Sequence, residues 1–272
     1  MQYKNVVEHV GIARVSEDGR LGVFAIEGLF PGYGLTLANS LRRVLLSSLP
    51  GAAITQFKVR GVLHEFSTIP NVLEDVVEIS LNFKKVRLVA FSDEPQVLTL
   101  TVKGEKAVTA GDIASGAAVR IMNPDQHLFT MTDKKAEVEI ELVVERGLGY
   151  VPVEKRKEGK LEVGVIALDA IFTPVTRVSV KEEHMRVGDR TDYNRVRVEI
   201  QTDGTVTPSD ALHRASNILV EHFARVAAID VQEAVLPPSS GKKSPKKAPA
   251  SEELCSFARL DRARIADGRE IR

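Results

Sequence analysis

The sequence predicts an α+β fold. Two long amphipathic helices, near residues 33–49 and after Thr207, carry continuous apolar stripes at helical spacing. Between and around them lie segments that alternate apolar and polar residues with the period of two that marks half-buried strands. The 272 residues, 43% hydrophobic and 27% charged, suffice for one large domain or two small ones with an ample core.

The first helix, residues 33–49 (YGLTLANSLRRVLLSSL), organises the rest. At 100° per residue, Leu37, Ala38, Leu41, Val44, Leu45 and Leu49 share one broad apolar face. Thr36, Asn39, Arg43 and Ser47 fall opposite, with Leu35 and Leu46 at that face's edge and Arg42 on the border. A solvated face is the ordinary reading of an arginine pair. Leucines flanking Arg43 point instead to a surface that packs inward and binds outward, because interface cores mix arginine with apolar side chains. Pro50-Gly51 is the expected stop.

Residues 20–29 (RLGVFAIEGL) and 54–63 (ITQFKVRGVL) read as strands, the first followed by a Phe30-Pro31-Gly32 turn. Residues 69–85 (IPNVLEDVVEISLNFKK) read as a helix. Asn71 is its expected cap, Glu74 lies three residues on, and Val72, Val76, Ile79 and Phe83 share a face. Lys84 and Lys85 complement its negative end. Residues 97–102 (VLTLTV) read as a strand, residues 109–125 as loops and short strands, and residues 146–152 (RGLGYVP) as a shaped loop. In residues 136–145 Val138, Ile140, Leu142 and Val144 alternate with Glu137, Glu139 and Glu141, giving a strand with an acidic solvated face.

Residues 176–181 and 194–200 alternate again, and 202–205 (TDGT) form a tight turn. Thr207 then caps a helix, with Pro208 in the first turn and Asp210 able to complete the box. Its stripe is Leu212, Ala215, Ile218, Leu219, Phe223 and Val226. Burial within one chain, packing on the first helix and packing on a second copy are all open for it. Residues 237–250 (PPSSGKKSPKKAPA) read as a linker with nothing to bury.

Net charge is zero, so bulk charge gives no argument for nucleic-acid or membrane binding. From Pro237 onward, however, nine Lys/Arg stand against five Asp/Glu. A mildly acidic body with a basic tail points to protein partners. The single cysteine, Cys255, permits no intrachain disulfide, and residues 1–9 lack a signal-peptide pattern; a cytosolic protein is expected. Aromatics at 5%, with no Trp, weaken any case for base stacking.

The catalytic motifs fail on inspection. Gly241-Lys242-Lys243-Ser244 lacks the strand, glycine spacing and helix of a phosphate loop. His64-Glu65 lacks a second histidine, and Gly147, Gly149 and Tyr150 precede no dinucleotide fingerprint. Cys255 has no neighbouring histidine, and no aspartate cluster suits two-metal chemistry. No cofactor, metal or catalytic residue is expected.

At the first helix the sequence becomes recognisable. YGLTLANSLRRVLLSSLPGAAIT (33–55) and GVLHEFSTIPNVLEDVVEISLNFK (61–84) closely resemble the alpha subunit of bacterial DNA-directed RNA polymerase. So do ERGLGYVP (145–152), DAIFTPVTRV (169–178), RTDYNRVRVEIQTDGTVTP (190–208) and the following helix, so that the likeness runs through about residues 1–235. The resemblance implies a non-catalytic subunit of a nucleotidyltransferase complex. Its homodimer nucleates assembly, one copy taking up the beta subunit and the other beta prime. It also implies a discontinuous dimerisation domain at 1–50 and 177–235, with two long helices packed on an antiparallel sheet, and a mostly β insertion at 51–176. A linker (236–250) and a short tail (251–272) follow.

Position by position, the resemblance implies beta contacts at Arg43, Asn39, His64, Glu65, Ser67 and Glu74, and beta-prime contacts at Lys84 and Arg190. It implies dimer contacts at Leu37, Leu41, Leu45, Leu212, Ile218, Leu219 and Phe223. The C-terminus departs from the pattern. SEEL (251–254) resembles the start of the family's DNA-binding domain, but the following residues do not, and no folded DNA-binding domain is expected. Contact with DNA is then indirect, through the polymerase, which also places the chain at the nucleoid. Two other readings stand beside this one: a truncated paralogue that dimerises and regulates assembly, and a protein that binds DNA through its tail. An enzyme active alone is the weakest.

Overall fold

The computed structural model describes residues 9–156 and 162–228; the linker and tail expected at 236–250 and 251–272 lie outside them. The fold is α+β and rich in antiparallel sheet.

The first sheet has four strands: β1 (Gly11–Asp18), β2 (Leu21–Leu29), β13 (Val175–Val187) and β14 (Arg190–Thr202), in the order β1-β2-β14-β13. Its central pair joins residues far apart in sequence, Leu21 opposite Gln201 through Leu29 opposite Asn194. Helix α1 (Tyr33–Ser47) and helix α4 (Pro208–Ala227) pack on this sheet and on each other. The stripe read from the sequence is the one that is buried. Ala38, Leu41, Leu45 and Leu49 are at most 3% exposed and join Phe24, Ile26, Val196, Val198 and Ile200 in one core. Thr36, Asn39, Arg42, Arg43 and Ser47 are exposed. Thr207 caps α4, its side chain accepting from the Asp210 N–H at 3.2 Å. Glu17 of β1 fixes the same end, accepting from the Ser209 N–H at 3.0 Å and its hydroxyl at 2.6 Å. Those two bonds, the hydroxyl's first, hold the Glu17 carboxyl below its ordinary range.

The second core is built wholly from residues 54–168. Its main sheet orders β5 (Gln96–Lys103), β9 (Glu137–Leu148), β3 (Pro50–Val59), β4 (Leu88–Ala90) and β7 (Val119–Ile121), with β11 (Val165–Ala167) also on β3. Helix α2 (Val76–Phe83) buries Val76, Ile79 and Phe83 against it, the Phe83 ring 5.2 Å from that of Phe57. On β9, Val138, Ile140, Leu142 and Val144 are buried, as their alternation requires. Two shorter pairs complete the chain: β6 (Lys106–Thr109) with β8 (His127–Met131), and β10 (Tyr150–Val151) with β12 (Ala170–Ile171). One helical turn, α3 (Val153–Arg156), follows β10.

Three local expectations are corrected. Pro50-Gly51 opens β3 rather than ending α1, which stops at Ser47 with the Ser48 N–H bonded to the Val44 carbonyl. The second helix starts at Val76, not after Asn71. Its cap is Asp75, whose side chain accepts from the Glu78 N–H at 2.7 Å, while Asn71 sits at φ 63 in the loop before it. Residues 146–152 are largely strand: β9 continues to Leu148, and Gly149, at φ 65, turns the chain into β10. Close packing requires the glycines there. A Cβ on Gly51 would lie 1.8 Å from the Phe172 carbonyl oxygen, and one on Gly147 would lie 2.6 Å from the Phe172 ring.

Leu45→Ala removes a fully buried side chain from the first core and is expected to cost about 2–5 kcal/mol in urea unfolding. Leu35→Ala, at an exposed position on the same helix, is expected to cost less than about 0.5 kcal/mol. Equal losses would contradict the inward orientation of the stripe.

Candidate functional site: an exposed docking surface

The residues singled out from the sequence sort into three groups. On α1, Asn39 and Arg43 lie one helical turn apart on the outward face. Neither Arg42 nor Arg43 forms an ion pair among the described residues, so both guanidiniums are open to a partner. Leu35 is 59% exposed beside them.

The loop between β3 and α2 carries His64, Glu65 and Ser67. His64 and Glu65 are exposed, and the Ser67 hydroxyl lies 3.0 Å from His64 Nδ1. The sequence reading missed the apolar residues around them. Leu63, Phe66 and Leu73 are 70–80% exposed on this one loop. They were hidden because a leucine or phenylalanine between strand and helix reads by default as core. Glu74 does something else. It accepts from the Thr130 N–H at 2.6 Å, the Thr130 hydroxyl at 3.1 Å and His127 Nε2 at 2.9 Å, pinning the loop to β8. Burial pushes its carboxyl up, but the His127 and Thr130 bonds outweigh burial and hold it below the ordinary range. Glu74 shapes the loop from beneath rather than presenting itself on it.

Lys84 and Arg190 belong to different elements and different networks. Lys84, at the end of α2, donates to Asp169 at 2.9 Å with both side chains partly buried. Asp169 also accepts from the Val153 N–H at 3.1 Å. The Lys84 bond first, and the Val153 bond second, hold the Asp169 carboxyl below its ordinary range. Arg156 completes this knot, donating to the carbonyls of Thr55, at 3.1 Å, and Leu168. Lys84 therefore ties α2 to the β11–β12 connection 85 residues away. The DAIF segment contains Asp169, but its role as Lys84's partner follows from the fold alone.

Arg190 grips Asp192 with two bonds, 3.0 and 2.6 Å, and its guanidinium carbon lies 5.4 Å from the ring centres of both Phe30 and Tyr193. Asp192 raises the Arg190 pKa, and Arg190 lowers that of Asp192. The arginine is held in place but exposed, over the Phe30 ring that precedes α1 and that meets Tyr33 edge-on at the helix's start.

The dimer positions named from the resemblance divide by burial. Leu41, Leu45 and Leu212 lie in the chain's own core, Leu37, Ile218 and Leu219 are half-buried, and Phe223 is 63% exposed. Val220 and Val226 join it at 65% and 62%, so the last two turns of α4 are solvent-exposed and carry three large apolar side chains.

Among the described residues no group of three or more His, Cys, Asp or Glu side chains could hold a metal, and no helix is long and apolar enough to cross a membrane. What the geometry offers is a set of charged and apolar side chains mounted on rigid elements, the construction of a protein-docking surface. Residues 55–173 match the family described as the RNA polymerase Rpb3/RpoA insert domain. The chain is 50% identical over 209 residues to the DNA-directed RNA polymerase subunit alpha of Symbiobacterium thermophilum, covering 77% of this chain and 66% of that one. It is 46% identical over 214 residues to that of Alkaliphilus oremlandii, covering 79% and 67%. With the Moorella thermoacetica subunit the identity is 48% over 206 residues, covering 76% and 66%. The chain thus matches about two thirds of the length of these relatives. It belongs to the bacterial RNA polymerase alpha subunit family.

Asp169→Asn is expected to lower stability by about 1 kcal/mol at neutral pH, because Lys84 loses its charged partner. A carboxylate with a depressed folded-state pKa contributes stability above its unfolded pKa and loses it as pH falls through the folded value. The gap between variant and parent in urea midpoints is therefore expected to close as pH is lowered below about 4. A gap constant with pH would contradict the pair.

Proposed function

We propose that this chain is a working alpha subunit. Two copies pair and nucleate a DNA-directed RNA polymerase, one copy capturing the beta subunit and the other beta prime. The chemistry of nucleotidyl transfer belongs to the large subunits; this chain supplies assembly. The dimerisation domain comprises 1–50 and 177–235, and the inserted domain comprises 51–176. Such a protein works in the cytoplasm, and reaches the nucleoid and its DNA through the assembled polymerase.

The observation that carries this reading is the exposed end of α4. Val220, Phe223 and Val226 present apolar surface that no other described residue covers, on the helix packed against α1. A second copy, related by a two-fold axis, would cover the same residues on both chains. In this arrangement Leu41, Leu45 and Leu212 support the interface from within, and Phe223, Ile218 and Leu219 make the contact. The outward face of α1, with Arg43 and Asn39, and the loop with His64, Glu65 and Phe66 then serve beta. Lys84 and Arg190, each held in place by a carboxylate, serve beta prime.

Reconstitution tests this. Purified chain mixed with beta and beta prime is expected to give a complex containing two copies, active in RNA synthesis from a promoter that needs no upstream element. A dimer that captures neither large subunit would overturn the proposal. Arg43→Ala is expected to leave the dimer intact by light scattering but to weaken beta capture by about 2–5 kcal/mol, the cost of leaving a desolvated charge unpaired. Phe223→Asp is expected to shift the chain towards monomer while preserving its circular dichroism spectrum; an unchanged dimer would place the interface elsewhere.

A further inference from the structure

The second core's main sheet ends at β7, which pairs with β4 on one side and with no strand on the other among the described residues. Antiparallel geometry fixes which backbone groups face outward there. The Phe91 N–H bonds the Ala118 carbonyl at 2.9 Å, and the Met122 N–H bonds the Arg87 carbonyl at 2.8 Å. These bonds bracket the pairs Ala90–Val119 and Leu88–Ile121 as non-hydrogen-bonded pairs, so the N–H and C=O of Val119 and Ile121 point away from β4. The Val119 N–H turns back to the Gly116 carbonyl at 3.3 Å. The Val119 carbonyl and both backbone groups of Ile121 have no hydrogen-bond partner among the described residues.

Space accompanies these groups. An open cleft of about 390 Å³ lies beside β7, lined by the small residues Gly111, Ser115, Gly116 and Ala117 and by Pro124. A Cβ built on Gly116 meets nothing within 4 Å. The side chains beside the edge are specific in character. Arg120 pairs across the strands with Val89 and so shares a face with Phe91, two residues further along β4 and its flank. Its guanidinium carbon stands 5.7 Å from the Phe91 ring centre, and Phe91 is 60% exposed. Arg120 is exposed and forms no ion pair among the described residues. Asp93, two residues beyond Phe91, is paired with Arg146.

We propose that the β7 edge is a docking site for an extended, acidic segment of a partner protein, added to the sheet as a further strand. The main chain of the segment would bond to the N–H and C=O of the half-buried Ile121. An acidic side chain on its outer face would meet Arg120, with Phe91 packing against the neighbouring residue. Strand addition supplies affinity through the backbone and specificity through alternate side chains. An unprotected edge is otherwise a liability that proteins cover or charge. A lone arginine with an exposed aromatic charges this one in a way that selects acidic strands and repels basic ones.

The test uses the full chain and three fluorescein-labelled short peptides. One alternates Glu and Val, one has Lys in place of Glu, and one is the Glu peptide with alternate backbone nitrogens methylated. Fluorescence anisotropy is expected to show binding of the first peptide alone, weakening as salt is raised. Arg120→Glu, at an exposed site that does not endanger folding, is expected to weaken binding about tenfold or more. Amide hydrogen exchange at Ile121 is expected to slow when the first peptide binds. Absence of binding, equal binding of the Lys or methylated peptide, insensitivity to Arg120→Glu, or unchanged exchange at Ile121 would each overturn the proposal.

Discussion

Everything in the first core depends on one pairing, that of β2 with β14. Residues 21–29 and 194–201 meet side by side although more than 160 residues separate some partners. Closing so long a loop costs conformational entropy, yet that cost grows only with the logarithm of loop length. The pairing is held by the apolar face above it. Phe24 and Ile26 from one strand and Val196, Val198 and Ile200 from the other form a floor on which Ala38, Leu41, Leu45 and Leu49 settle. Without that floor α1 has no surface for its stripe, and α4, which packs on α1, loses the support beneath that helix. Glu17, on the strand beyond β2, then locks the first turn of α4. The outward placement of Arg43 and Asn39 follows from which face of α1 the sheet has taken.

Periodicity made much of this legible in advance. The α1 stripe, the β9 alternation and the Thr207 cap are each decided by residues within one or two turns of each other, and the structure bears them out. The start of α2 was not so decided. Asn71 and Asp75 are both good caps by type, and the choice between them is made by β8, more than fifty residues away. Thr130 and His127 draw Glu74 out of any capping role, and the loop before Asp75 is thereby committed to extended and turn backbone. The same holds at residues 146–152, where two glycines suggest a loop. Gly147 is there because β9 approaches Phe172 more closely than a Cβ allows, and Gly149 because the turn into β10 needs a positive φ.

The candidate site was legible as residues but not as an arrangement. Arg43 could be placed outward from helical geometry alone. Lys84 and Arg190 could be named but not understood: the carboxylate partner of Lys84 lies 85 residues away, and although Asp192 is only two residues from Arg190, the Phe30 ring beneath that guanidinium is brought there by the fold. The exposed Leu63, Phe66 and Leu73 were invisible for a different reason. Apolarity in a sequence predicts burial, and nothing local distinguishes a side chain buried by its own chain from one awaiting another.

The division of the two cores along the chain has a consequence for how the protein is made. Every residue of the second core has left the ribosome's catalytic centre once Leu168 is added, whereas β14 is complete only at Thr202. At translation rates of about 5–20 residues per second the interval is roughly 2–7 s. During it α1 has been synthesised with its leucines but without the sheet that covers them, while the inserted core has all it needs to condense. The order of folding thus departs from the order of the chain: the middle is able to fold first, and the beginning waits for the end.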